Sequence, residues 1–157
     1  MKTTRAHSKA RRQRGVAAVE LGILLGPLVL LVAGVSEYGR AIYNYNMIVK
    51  STRDAVRYLT QFPANDLASV AAAKKLVVYG NTAGTGPALV TGLTTSNVDW
   101  CDAFKCPGTH ALQLTGGGTT VNLVTVRVTG FAFSSIVPGL VASFTFGDVA
   151  VTMGQVL

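Results

Sequence analysis

The chain has 157 residues, 14 Lys+Arg against 7 Asp+Glu, 49% hydrophobic residues and a formal net charge of +7. That length suits one domain with an appendage, and so apolar a composition excludes a disordered chain. The charge is no nucleic-acid footprint: Lys2, Arg5, Lys9, Arg11, Arg12 and Arg14 place six of the fourteen cations in the first fifteen residues, and the remainder holds eight cations against seven acids.

The basic leader, residues 1–15, contains no acid. Residues 16–36 follow, VAAVELGILLGPLVLLVAGVS, in which Glu20 is the only charged residue. About twenty helical residues cross the hydrocarbon core of a bilayer, so this run predicts a transmembrane helix. Cations on its N-terminal side keep that end cytoplasmic and send the C-terminal bulk across the membrane. A secretory signal cut near Ala33–Ser36 is the rival reading. Against it stand the length of the run, Pro27 inside it and a helical pattern that continues past it. Val35, Tyr38, Ile42, Tyr45, Val49, Thr52, Val56 and Leu59 mark one face, and Glu37, Arg40, Asn44, Lys50, Arg53, Asp54, Arg57 and Gln61 the other. The pattern predicts one helix over residues 16–62, about 70 Å long at the ordinary helical rise.

Glu20 is the odd residue, because an acid in or near hydrocarbon costs a few kcal/mol unless it is paired or reaches the headgroups. No cation lies within a helical turn downstream. A cut after Gly15 would give Val16 a free amine four residues from Glu20, on the same helix face. The amine of a neighbouring subunit would serve equally.

Beyond Phe62-Pro63, residues 65–79 read as a second helix, with Asn65 or Asp66 as its cap and Gly80 as its stop. Gly80–Pro87 reads as a loop. Strands are expected at Asn97–Trp100, Ala111–Thr115 and Thr119–Phe133, and over the run from Phe144 to Met153. Inside–outside parity slips near Leu123–Val124 and again at Gly147-Asp148, which predicts a bulge in each of the last two strands. Residues 136–141 connect those two strands, with room for a helical turn. The expected fold class is α+β: a long N-terminal transmembrane and amphipathic helix packed on a small antiparallel sheet of three to five strands, with a second short helix.

Cys101 and Cys106 sit five apart beside Trp100 and Pro107. In an exported head they are expected to form a disulfide closing a small loop. The alternative is a metal site with His110, which would need a further carboxylate or water to complete it. Neither a metal nor a cofactor is expected. Nor is catalysis: His110 is the one histidine outside the leader, there is no Gly-x-Ser-x-Gly elbow, and Gly116–Gly118 lacks the Lys-Ser/Thr of a phosphate loop. Asp99 and Asp102 fall short of a calcium site. Lys74-Lys75 and Arg53/Arg57 are scattered helix-surface charges rather than a nucleic-acid face.

The segment RRQRG-VAAVE, a basic leader, a Gly and an acid at the fifth following position, resembles the type IV prepilin processing pattern. Its continuation, VAAVELGILLGPLVLLVAGVSEYGRAIYNYNMIV and then STRDAVRYL, resembles the TadE-like minor pilins or pseudopilins of the tight-adherence (Flp, type IVc) pilus system. In that family a "GAAAVEFALVLP" segment leads to "GI-EFGR" and an "AR-GAR" helix. AAAKKLVVYG, Gly92–Thr94 and the closing strands resemble it more loosely. Leu21 stands where Phe is usual, and Pro27 lies one residue further from Glu20 than the family's spacing.

The resemblance implies a structural subunit whose leader, residues 1–15, is removed by a prepilin peptidase after Gly15, leaving Val16 as the mature N-terminus and Glu20 as the acid that registers subunits. The implied partners are the prepilin peptidase, major and minor pilins, the inner-membrane assembly platform and membrane lipid, with no nucleic acid. The implied location is the bacterial inner membrane, with a single span over residues 16–36, a cytoplasmic N-terminus and an exported head over residues 63–157. The alternative is an uncleaved single-pass anchor whose head binds an envelope partner. A third, weaker reading is a secreted adhesin.

Overall fold

The computed structural model describes residues 9–114, 116–118, 120–137, 139 and 142–155, with side chains from residue 15 onward. It divides into two compact units: residues up to Gly39 together with Ser135–Ala142, and Arg40–Ser134 together with Ser143–Leu157.

Helix α1 runs from Lys9 to Leu59 with Pro27 inside it. It starts seven residues ahead of the expected Val16, so part of the basic leader is helical, while Lys2 and Arg5 lie outside the described residues. In the first unit its large apolar side chains from Val16 to Val35 are all exposed. The stretch is long and apolar enough to cross a membrane once.

In the second unit α1 supplies a buried stripe of Ala41, Ile48, Ser51, Thr52, Ala55, Val56 and Leu59. Small and β-branched residues at three- and four-residue steps let other elements approach the helix closely. The two hydroxyls in the stripe are satisfied on the helix itself: Ser51 and Thr52 both donate to the carbonyl of Ile48, at 3.1 and 2.7 Å. The face differs from the expected one. Thr52, Val56 and Leu59 are inside, but Tyr38, Ile42 and Tyr45 are exposed and Glu37 is buried. Apolar periodicity alone misplaces Glu37, because the backbone N–H that its carboxylate accepts from belongs to Ile136, far away in the chain.

Helix α2 spans Leu67–Tyr79. Asp66 caps it, its carboxylate accepting from Ala68 N at 3.1 Å, and Gly80 ends it in the left-handed region at φ 73°, its N–H donating to Leu76 O. Val70, Ala73, Val77 and Val78 of α2 join Ile48, Ala55, Val56 and Leu59 of α1 in one core.

The fold is α+β, as expected, and among the described residues its strands form a main antiparallel sheet of three strands and two further two-stranded ones. β1 (Val98–Cys101), β4 (Leu123–Val128) and β7 (Val149–Gly154) form the main sheet in the order β1-β4-β7. Val126 at its centre pairs with Trp100 on one side and Val151 on the other. Val124, Val126 and Val128 point into the core together, with the parity expected after the slip. β2 (Gln113–Leu114) pairs with β3 (Thr120–Val121), and β5 (Ala132–Phe133) with β6 (Phe144–Thr145). The expected long strand 119–133 is thus cut into three pieces, and each piece lies in a different sheet. Side-chain amides hold the breaks. Asn122 Oδ1 accepts from Leu112 N at 3.0 Å, and Asn97 Nδ2 donates to Thr129 O at 3.2 Å. Pro107–His110 makes one helical turn, α3, started by a proline in its first turn. In the 136–141 connection, Pro138, Leu140 and Val141 lie outside the described residues.

Candidate functional site

Gly15, Val16 and Glu20 all lie within α1 and are exposed. Val16 and Glu20 are four residues apart, so their side chains project from one helix face. Among the described residues no ion-pair partner meets Glu20. Around Gly15, Gly22, Gly26 and Gly34 a Cβ would touch nothing within 4 Å. The first half of α1 is therefore an uncovered apolar surface with open backbone patches, the kind of surface on which helices approach closely in lipid.

The uncharged run Leu21–Ser36 ends at Glu37. Glu37 is only 5% exposed, and its Oε1 accepts from Ile136 N at 3.2 Å, within the first unit. In the second unit Arg40 donates to the carbonyl of Ser134, and its guanidinium lies 4.5 Å over the ring of buried Phe133. Phe133 belongs to an aromatic cluster with Phe144 and Phe146, at centroid distances of 5.2 and 6.2 Å, and Tyr45 of α1 packs on Phe146 at 5.7 Å. Sequence reasoning assigned Glu37 and Arg40 to the polar face. The signal it had was their place in EYGR, quoted for the resemblance.

In the disulfide region Cys101 and Cys106 are bonded, with Cα atoms 5.7 Å apart. A ring nitrogen of His110 lies within 4.8 Å of both sulfurs, close enough for the three to share an ion. Metals are held by thiolates, and sulfurs shared in a disulfide are not thiolates, so this set does not fit a metal in its oxidised form. His110 instead hydrogen-bonds Thr109 Oγ1 through Nδ1 at 2.8 Å and Thr125 Oγ1 through Nε2 at 2.7 Å.

Asp102, inside the disulfide loop, is 3% exposed. Its carboxylate accepts from Lys105 N at 2.7 Å, Phe104 N at 3.0 Å and Asn65 N at 2.9 Å. The last bond ties the loop to the α1–α2 turn, where Asn65 stands at φ 66°. Burial pushes the Asp102 carboxyl up, but the backbone N–H groups of Lys105, Asn65 and Phe104 outweigh it and hold the group below the usual carboxylate range. Asp99 is held low mainly by the Lys105 ammonium, 2.7 Å away. Lys105 also lies 3.9 Å over the Trp100 ring, with Lys74 at 5.1 Å. These contacts brace the fold. None of them sets a nucleophile beside a base.

Residues 15–57 match the family model described as TadE-like protein. No curated protein and no solved structure matches the chain. The match runs along α1 from Gly15 through the exposed apolar run to Arg57 in the second unit. Over residues 15–57, therefore, the chain is similar to the TadE-like family, and the similarity is confined to its long helix.

Proposed function

We propose that the chain is a prepilin-like structural subunit, a minor pilin or pseudopilin, used in assembling a tight-adherence pilus. The observation that carries this reading is the matched helix itself: a run over residues 16–35 whose large apolar side chains are all uncovered continues into a stripe that forms part of the core of a small folded head. Residues 16–36 cross the inner membrane once. The cations of residues 1–15 hold the N-terminus in the cytoplasm, and the head over residues 63–157 is exported. A prepilin peptidase cuts after Gly15. Val16 then carries a free amine, and Glu20 pairs with that amine on a neighbouring subunit, setting the register as helices leave the lipid for the bundle. Contacts of this head-to-tail kind do not close on themselves and so build a filament. The exported compartment is oxidising, which suits Cys101–Cys106 as a permanent staple of the head. The partners are the peptidase, major and minor pilins and the inner-membrane platform.

The test is Glu20→Ala, followed for membrane insertion and for incorporation into the pilus or its assembly complex. Insertion is expected to stay intact while incorporation is lost. Normal incorporation of the Glu20→Ala chain would rule out the registry role. Glu20→Gln separates charge from size, and it is expected to fail like Ala because an amide cannot pair ionically with an amine.

A further inference from the structure

We propose that Ser135–Val137, in the connection between β5 and β6, form a second membrane contact, seated in the interfacial layer of the bilayer that α1 crosses, at the level where Glu37 emerges. The inference rests on reading residues 16–36 as a membrane span. Its own evidence lies in the loop. SIVPGLVA contains no charged residue, and this connection groups with the apolar part of α1 rather than with the strands on either side of it. Ile136 is 71% exposed and Val137 is also open. Adjacent exposed aliphatic residues at a loop tip are unusual on a surface that meets only water.

The backbone of the tip is also provided for. Glu37 accepts from Ile136 N at 3.2 Å. Ser135 Oγ accepts from Val137 N at 3.2 Å and donates to Val137 O at 2.9 Å. A loop bathed in water needs no such pairing, whereas one leaving water must satisfy its amides internally. Position sets the depth. Glu37 is the first charge after the uncharged run, so it marks the end of the span, and its bond to Ile136 N holds the exposed aliphatic pair at that boundary. Lipid is the occupant favoured, because the loop continues an apolar surface already assigned to lipid and offers a partner protein no charge to recognise.

The test uses the full chain in phosphatidylethanolamine–phosphatidylglycerol vesicles carrying lipids with a nitroxide either near the headgroup, read at the loop, or deep in the acyl chain, read at the span. Ile136→Cys is labelled with an environment-sensitive fluorophore without reductant, so that Cys101–Cys106 stays bonded, and Leu28→Cys is labelled in parallel to report the span. The proposal predicts a blue shift and a loss of fluorescence at both positions relative to nitroxide-free vesicles. Val137→Cys should repeat the Ile136→Cys result, guarding against a disturbance peculiar to one label. Quenching at Leu28 with none at 136 or 137 overturns the loop contact and leaves the span standing. No quenching at Leu28 overturns the span, and the loop contact with it.

Discussion

Residues 16–35 and 48–59 belong to one helix, yet they meet opposite surroundings. The first stretch exposes every large apolar side chain it has, and the second buries Ile48, Ala55, Val56 and Leu59 in a core shared with α2 and the main sheet. The apolar residues differ accordingly. Leu, Ile and Val surround the first stretch on all sides, as suits a helix whose whole surroundings are apolar. The second confines small and β-branched residues to one stripe and puts Lys50, Arg53, Asp54 and Arg57 elsewhere. Hydrophobicity alone does not distinguish a helix built for lipid and other helices from one built to anchor a head. Its distribution around the helix axis does.

The sharpest way to break this contrast is one substitution made twice. Ile48→Ala, at 1% exposure, is expected to destabilise the head by about 2–5 kcal/mol through lost burial and a cavity. Ile23→Ala, at 69% exposure, should leave the head's urea or thermal transition within about 0.5 kcal/mol of the parent. Equal losses from the two would show that the halves are not distinct in role.

Asp102→Ala comes next. It strands three backbone N–H donors in the interior, at a cost of about 1–3 kcal/mol or more, read from the same transition. Acid should reproduce part of this. The folded-state pKa of Asp102 lies below its unfolded value, so its contribution is present above the ordinary carboxylate range and is lost as pH falls through the folded value. Asp102→Asn should flatten that acid limb of the stability profile. An unchanged limb would assign acid sensitivity to other groups.

Reducing Cys101–Cys106 should cost the head about 2 kcal/mol, the chain-entropy value for so short a loop, and leave membrane insertion untouched. Lys105→Ala should have the smallest effect, about 1 kcal/mol or less, because its ion pair with Asp99 is largely solvated.

The features that proved legible are local ones. An uncharged run of membrane length, an Asp66 cap and a Gly80 stop each declare themselves within a few residues, and α1 and α2 follow from them. The features misread depend on distant partners. Nothing near Glu37 in the chain says that Ile136 N will meet it, so the carboxylate was assigned to the solvent face. Nothing in the valine-rich run 121–128 says that Asn122 will hand its carboxamide to Leu112, or that three sheets will share what reads as one strand. Asp102 was weighed only as a weak cation ligand, because its backbone donors come from a disulfide loop and from a turn thirty-seven residues away. The parity slip near Leu123–Val124 makes no bulge, because both residues pair in unbroken register with Met153 and Gly154, and the slip at Gly147-Asp148 falls in the gap between β6 and β7.

The claim that α1 begins as an assembly helix meets its most direct test at its N-terminus. Intact mass and N-terminal sequencing of the chain, recovered from cells that carry the pilus machinery, should find Val16 as the first residue. Met1 retained on the assembled protein, or a first residue near Val35–Glu37, would contradict it.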